Sequence, residues 1–198
     1  MDITGYLAQS AGLAVGLGNG AHLVTGTGTA QPQGIANAGV AGVTGAVGTT
    51  VKFDLNTPPG ADGLIDLYHS LNSGYRANGE WIMNDLTAAY IRKLKDSTGQ
   101  YVWQSGMSAG QPDRLFGRPV LLDPNMAAMG ANALSVGFGD FNLYYIIRDV
   151  GEVRFERSDD FAFGNDLVSF RVIFRTDAKQ LINDSTNSAV KFFKHSAT

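Results

Sequence analysis

The sequence predicts an α+β fold, with helices and strands gathered in separate runs rather than in strict βαβ alternation. Apolar residues recur at helical spacing in three segments, 2–18, 62–77 and 85–95. From Leu134 onwards the pattern changes to strand-type runs, of which Leu143 to Arg148, Val153 to Glu156, Leu167 to Arg175 and Val190 to Phe193 are the clearest. No internal repeat is present, so neither a solenoid nor a propeller accounts for the chain.

In the first segment Ile3, Tyr6, Leu7, Leu13, Ala14 and Leu17 share a helical period, and Gly18-Asn19-Gly20 supplies a stop signal. The run Gly26-Thr27-Gly28-Thr29-Ala30-Gln31-Pro32-Gln33-Gly34-Ile35 reads as a turn, and the Gly/Ala/Val/Thr stretch to Thr50 as a surface loop with some strand character. Val51 to Leu55 alternates as a strand does, and Pro58-Pro59-Gly60 marks a boundary. Asp62 is an N-cap type that opens a second helix, with Leu64, Ile65, Tyr68, Leu71 and Tyr75 on the inner face and Asn78-Gly79 at its end.

Residues 80–83, Glu80-Trp81-Ile82-Met83, read as a buried strand. Asn84 and Asp85 then cap a third helix whose inner stripe is Leu86, Ala89, Tyr90 and Leu94. Lys93 and Lys95 suit the negative end of its dipole, and the helix stops near Asp96. Gly99 can take the positive φ of a reversal into Tyr101-Val102-Trp103, a run of strand-forming residues. Pro119 cannot donate to a ladder and biases Arg118 towards extended backbone. A turn at Asp149-Val150-Gly151 separates two of the later strands, and Asp159-Asp160 reads as a solvated turn.

Composition narrows the function. At 198 residues and 44% hydrophobic content the chain can bury one sizeable core, or two small cores sharing an interface. It has no cysteine, which excludes disulfides and thiolate zinc sites and suits a reducing cytoplasm. A net charge of −3 argues against general nucleic-acid binding, which phosphate neutralisation drives. No apolar run approaches the ~20 residues that span a bilayer, and the N-terminus has no signal-peptide pattern.

Several motifs invite a catalytic or binding reading. Gly106-Met107-Ser108-Ala109-Gly110 fits the nucleophile-elbow pattern, with Asp140 or Asp149 and then His195 in serine-acid-histidine order, as a serine hydrolase of α/β type would use them. An elbow needs a strand running directly into a helix, and Gln111-Pro112-Asp113 with the nearby Gly117 leaves no room for that helix. A flexible Ser/Gly loop is the better reading. Gly16-Leu17-Gly18-Asn19-Gly20-Ala21 satisfies a relaxed dinucleotide pattern of a nucleotide-binding module, but it follows a helical segment and no acid lies about twenty residues on. It reads as a helix C-terminus. His22, His69 and His195 have no partners at metal-ligand spacing, so no metal, cofactor or catalytic residue is assigned. The aromatics Phe138, Phe141, Tyr144, Tyr145, Phe170 and Phe174 lack interleaved basic residues and read as core rather than as a nucleic-acid stacking platform.

The order and spacing of Trp81-Ile82-Met83-Asn84, Leu94-Lys95-Asp96-Ser97-Thr98-Gly99-Gln100-Tyr101-Val102-Trp103, Leu115-Phe116-Gly117-Arg118-Pro119-Val120 and Gly139-Asp140-Phe141 closely resemble the axial domain of Hong Kong 97 type major capsid proteins of tailed bacteriophages. The run Gly26 to Ile35 resembles the turn that follows the spine helix in those proteins. The resemblance covers roughly Ile3 to Lys194, with 36–60 matching by position more than by motif.

The resemblance implies a Hong Kong 97-like α+β fold with axial and peripheral domains, a spine helix and long strands. The division it implies is peripheral over 1–60, axial over 61–148, peripheral return strands over 149–175 and an axial C-terminal segment over 176–198. It implies a non-enzymatic major head protein of a phage or prophage. Copies of such a protein form pentamers and hexamers of an icosahedral virion shell, assembled in the bacterial host cytoplasm. Scaffold, portal and maturation protease are the implied partners, with no sequence-specific nucleic acid and no membrane. Head-to-tail ring contacts need two complementary patches, for which Lys95, Asp96, Arg114 and Arg118 are the candidates. An N-terminal arm and extended loop of the family have no counterpart in the sequence, which reads as a shortened form or a prophage remnant and is expected to be monomeric or weakly associated by itself. Asn165 falls near the position of the family's cross-linking asparagine, but the lysine belongs to that loop and Val172 and Ile173 stand where an acid is needed, so no isopeptide cross-link is expected.

Overall fold

Six short strands from distant parts of the chain build one mixed sheet, and the parity of their residues decides which core each side chain joins. The computed structural model describes residues 3–45, 61–94, 99–101, 103 and 113–197. Helix α1 (Ile3–Thr25) leads through a turn to β1 (Ala41–Thr44), followed by α2 (Ala61–Ser70), α3 (Ser73–Arg76), β2 (Glu80–Met83) and α4 (Asp85–Arg92). Strands β3 (Arg114–Leu115), β4 (Arg118–Leu122) and β5 (Leu134–Gly139) come next, then α5 (Phe141–Tyr144), a single turn that continues directly into β6 (Tyr145–Asp149). The remaining elements are β7 (Arg154–Ala162), a 3-10 turn over Phe163–Asn165, β8 (Leu167–Ile173), β9 (Thr176–Gln180) and β10 (Val190–Lys194).

The sheet runs β1-β10-β5-β2-β4-β3. Strand β10 is antiparallel to β5 and parallel to β1, with Phe192 opposite Gly137 on one side and Ala41 on the other. Strand β2 is antiparallel to β5 and parallel to β4, and Trp81 sits between Phe138 and Val120. Successive strand residues face opposite ways. Trp81, Met83, Val120, Val136, Phe138 and Phe193 therefore meet Leu64, Leu67 and Leu71 of the α2 region and Ala88 and Ile91 of α4. Ile82, Val190 and Phe192 point to the other face and pack with Val24, Ile35, Met126 and Tyr144.

Trp81 anchors the first core. Its ring lies 4.3 Å from that of Phe138, and its indole N–H donates to the Leu115 carbonyl at 3.0 Å. Burying an aromatic ring of this size while satisfying its one donor removes the usual cost of a polar atom in a core.

Several sequence expectations are corrected. Helix α1 runs through Gly18-Asn19-Gly20 to Thr25, because Val24 is held in the second core and tertiary packing outweighs the roughly 1 kcal/mol that an interior glycine costs. Its expected inner stripe is not covered: Tyr6, Leu13 and Leu17 are all exposed. The single helix over 62–77 is two, broken at Ser70–Asn72 where the Asn72 side chain accepts from the Gly74 N–H and starts α3. Leu64 and Leu71 are buried as expected and Leu67 joins them, whereas Ile65 is exposed.

In α4 the Asn84 cap is as expected, accepting from the Leu86 N–H at 3.0 Å, but the buried face is Thr87, Ala88 and Ile91, with Leu86 exposed. The helix ends at Arg92, with Lys93 as C-cap. Gly99 does take a positive φ of 83°, whereas Trp103 belongs to no strand. Residues 141–144 form a helical turn rather than the start of a strand, and Asp159-Asp160 lie inside β7 rather than in a turn. The expected strand over Val51 to Leu55 and the boundary at Pro58-Pro59-Gly60 lie outside the described residues.

Candidate assembly surfaces

Two pieces of surface stand out, a β-arm and a short hairpin, and a polar clamp fixes the base of the arm. Strand β6 pairs antiparallel with β9 from Tyr145↔Gln180 to Asp149↔Thr176, and β7 pairs with β8 from Arg154↔Ile173 outwards. The four strands form one two-stranded ribbon, going out along β6 and β7 and back along β8 and β9. No residue from 145 to 177 is buried. At the outer end Phe161 and Phe163 are 86% and 82% exposed and Leu167 60%. Phe170, expected in the core, lies here, its ring stacked 5.5 Å from Phe155 on the ribbon face. Arg171 pairs with Glu156 across the strands, which holds the Glu156 carboxyl below its ordinary range.

At the base, Gln180 is buried and its amide donates to the carbonyls of Gly34 (2.8 Å), Ile35 (3.1 Å) and Asn37 (2.6 Å). The Tyr145 hydroxyl donates to the carbonyls of Gln33 (2.6 Å) and Leu23 (3.2 Å), and that of Tyr144 to Ile35 (3.1 Å). Burial, with a smaller contribution from the Asp177 carboxylate, pushes the Tyr145 hydroxyl up to about 12. Burial raises Tyr144 still further. Both therefore stay protonated donors at every physiological pH. This clamp ties the turn after α1, closed by the Gly34 N–H on the Gly26 carbonyl at 2.8 Å, to the root of the arm.

The second surface is the β3–β4 hairpin. Its turn, Phe116-Gly117, has positive φ at both residues (50° and 76°), the geometry of a type I′ connection. The ring of Phe116 rests 6.0 Å from those of Tyr68 and Trp81. Arg114 and Arg118 flank this turn, so the structure brings two of the four sequence candidates together. Arg114 is exposed, and its guanidinium reaches the Gly117 carbonyl at 3.4 Å. Arg118 donates to the Ala77 carbonyl at 2.5 Å, at the C-cap of α3, so part of its role is to hold the hairpin against that helix end. Lys95 and Asp96 lie outside the described residues. Near the hairpin, Arg92 pairs with Asp113 and lies over the Trp103 ring at 5.1 Å, while the Trp103 N–H donates to the Arg114 carbonyl at 2.8 Å.

Those residues of the hydrolase and nucleotide motifs that the structure describes have places in the fold. His195 is buried with its Nε2 2.6 Å from the Ser135 hydroxyl, and Ser108 lies outside the described residues. Asp140 is the N-cap of α5 and accepts from the Asn142 N–H at 3.1 Å. Gly16 to Ala21 lies within α1, where no strand-to-helix phosphate loop exists. Among the described residues no cluster of His, Cys, Asp or Glu could hold a metal ion, and no helix is long and apolar enough to cross a membrane.

A model of the phage capsid family matches residues 1–190. The chain belongs to the phage capsid family. The capsid of an empty GTA particle is similar at 29% identity and a TM-score of 0.80, over 99% of this chain and 67% of that one. The capsid of a native GTA particle is similar to the same degree, over 66% of its chain. Solved structures from Mycobacterium phage Cain (15% identity, TM-score 0.65) and Gordonia phage Cozz (13%, 0.59) share the fold over the whole of this chain. The chain spans about two thirds of the length of each of these proteins. A comparison with curated proteins finds no match.

This phage capsid family protein is thus a structural capsid subunit of mixed α+β fold, not an enzyme. Sequence reasoning identified the family but missed the arm's apolar tip. The available signal was Phe161-Ala162-Phe163-Gly164, three aromatic or small apolar residues at a turn with no helix nearby to bury them.

Proposed function

We propose that, when full length, copies of this protein associate head to tail into rings of five and six that tile an icosahedral virion shell, built in the cytoplasm of a bacterial host with scaffold, portal and maturation protease as partners. The supporting observation is the match to a GTA capsid across 99% of the chain, together with an exposed apolar arm tip that a lone soluble subunit would not keep. In this reading residues 1–60 and 149–175 are the peripheral domain and 61–148 and 176–198 the axial domain. Lys95, Asp96, Arg114 and Arg118 provide charge complementarity between ring neighbours, and the arm reaches a further copy.

Sedimentation velocity over a range of concentrations, with negative-stain imaging at the highest, tests this. Concentration-dependent association into ring-shaped particles, weakened by Arg114→Glu, supports the reading. Association into particles other than closed rings, or association that Arg114→Glu leaves unchanged, overturns it.

A further inference from the structure

We propose that the outer ribbon, β7 with β8, swings as one rigid unit about a joint formed by residues 150–153 on the outgoing strand and 174–175 on the return. The ladder of the inner ribbon ends at Asp149↔Thr176 and that of the outer ribbon begins at Arg154↔Ile173, so four residues on one side face two on the other. Backbone of unequal length cannot stay in register, and one bond, from the Val150 N–H to the Arg175 carbonyl at 2.9 Å, spans the gap. Gly151 has a φ of 76°, which breaks the extended run. A cleft of about 220 Å³ lies at the joint between Val150, Gly151, Glu152, Arg154, Ile173 and Arg175.

The joint is soft because a single exposed hydrogen bond adds little in water. The outer ribbon is stiffer from Arg154 to Ser158, where it has a regular ladder, the Phe155–Phe170 stack and the Glu156–Arg171 pair; its register shifts only nearer the tip, between Ser158 and Ala162. With no buried residue between 145 and 177, no core packing holds the ribbon at a fixed angle to the body. Nine residues of β7 make a lever of about 30 Å at ~3.3 Å per residue, so a swing of about 20° carries the tip about 10 Å. One sequence can then place its Phe161 and Phe163 against neighbours presented at different angles. Such a swing is a property of the single chain and stands apart from the shell reading.

Because the chain has no cysteine, introduced cysteines accept spin labels at defined sites, and electron–electron dipolar spectroscopy reads the distance distribution between them. The pair Gly164→Cys with Asp66→Cys reports tip to body, Asp159→Cys with Gly164→Cys reports within the ribbon, and Asp66→Cys with Lys93→Cys reports within the body. A swinging ribbon gives a tip-to-body distribution spread over about 10 Å while both other pairs stay narrow, and Gly151→Val, which disfavours the positive φ, shifts its mean. Either a tip-to-body distribution as narrow as the body pair, or a ribbon pair as broad as tip to body, overturns the proposal whether or not the Gly151→Val variant folds.

Discussion

The hydroxyl of Ser135 and the imidazole Nε2 of His195 lie 2.6 Å apart, both buried, where the residue after β10 meets β5. Burial holds the His195 imidazole below its ordinary pKa, so its charged form is disfavoured in the folded chain. The unfolded chain takes up the proton first as pH falls. The associated stability is complete above about pH 6.5 and is lost as pH falls from there through the lower folded value. The thermal midpoint should therefore drop between about pH 7 and about pH 5, and His195→Gln should flatten that part of the profile. Equal slopes for the two proteins would remove His195 from the account.

Gln180→Leu should destabilise the fold by about 2–3 kcal/mol, because three carbonyls in the turn after α1 lose their shared donor while the leucine fits the same space. Urea denaturation measures the loss. A change below about 0.5 kcal/mol would mean that water replaces the amide.

Gly139→Ala should cost more than about 3 kcal/mol, since a Cβ there would stand 2.1 Å from the Ala189 carbonyl oxygen and 2.6 Å from the Val190 Cα, both backbone atoms that cannot rotate aside. Soluble yield and thermal midpoint should both fall sharply. A variant as stable as the parent would show that β5 and β10 can separate at their junction.

The double substitution Phe161→Ser with Phe163→Ser should leave the stability of the isolated chain within about 0.5 kcal/mol, because both rings are exposed. Its self-association, read by sedimentation, should weaken. Loss of stability with unchanged association would point to a packing role for the tip instead.

Much of the fold was readable because local chemistry and tertiary demand agree there. Asn84 is both a good cap and the actual cap, and the strand over Glu80–Met83 has one charged end and three apolar residues that fill cores on both faces. Reading failed where a distant partner decides. Gly18 and Gly20 look like a stop until Val24 is drawn into the second core, and Leu86 looks buried until Ala88 and Ile91 claim the inner face. The arm was legible as strands only in part, because Val153 to Glu156 and Leu167 onwards carry strand-type residues while Asp159-Asp160 looks like a turn, and sequence cannot say that no body lies beneath them. Of the assembly candidates, the closeness of Arg114 and Arg118 followed from a two-residue turn, whereas the bond from Arg118 to Ala77 joins residues 41 positions apart.

The position of β10 between β1 and β5 has a consequence for the timing of synthesis. Ala41–Thr44 leaves the ribosome long before Val190–Lys194, the strand it pairs with, so a growing chain carries two halves of a sheet with an open slot between them. Contacts of such long sequence separation form late and slowly. The nascent chain keeps its hydrophobic slot exposed until Val190–Lys194 emerge, which delays any association that needs the finished sheet.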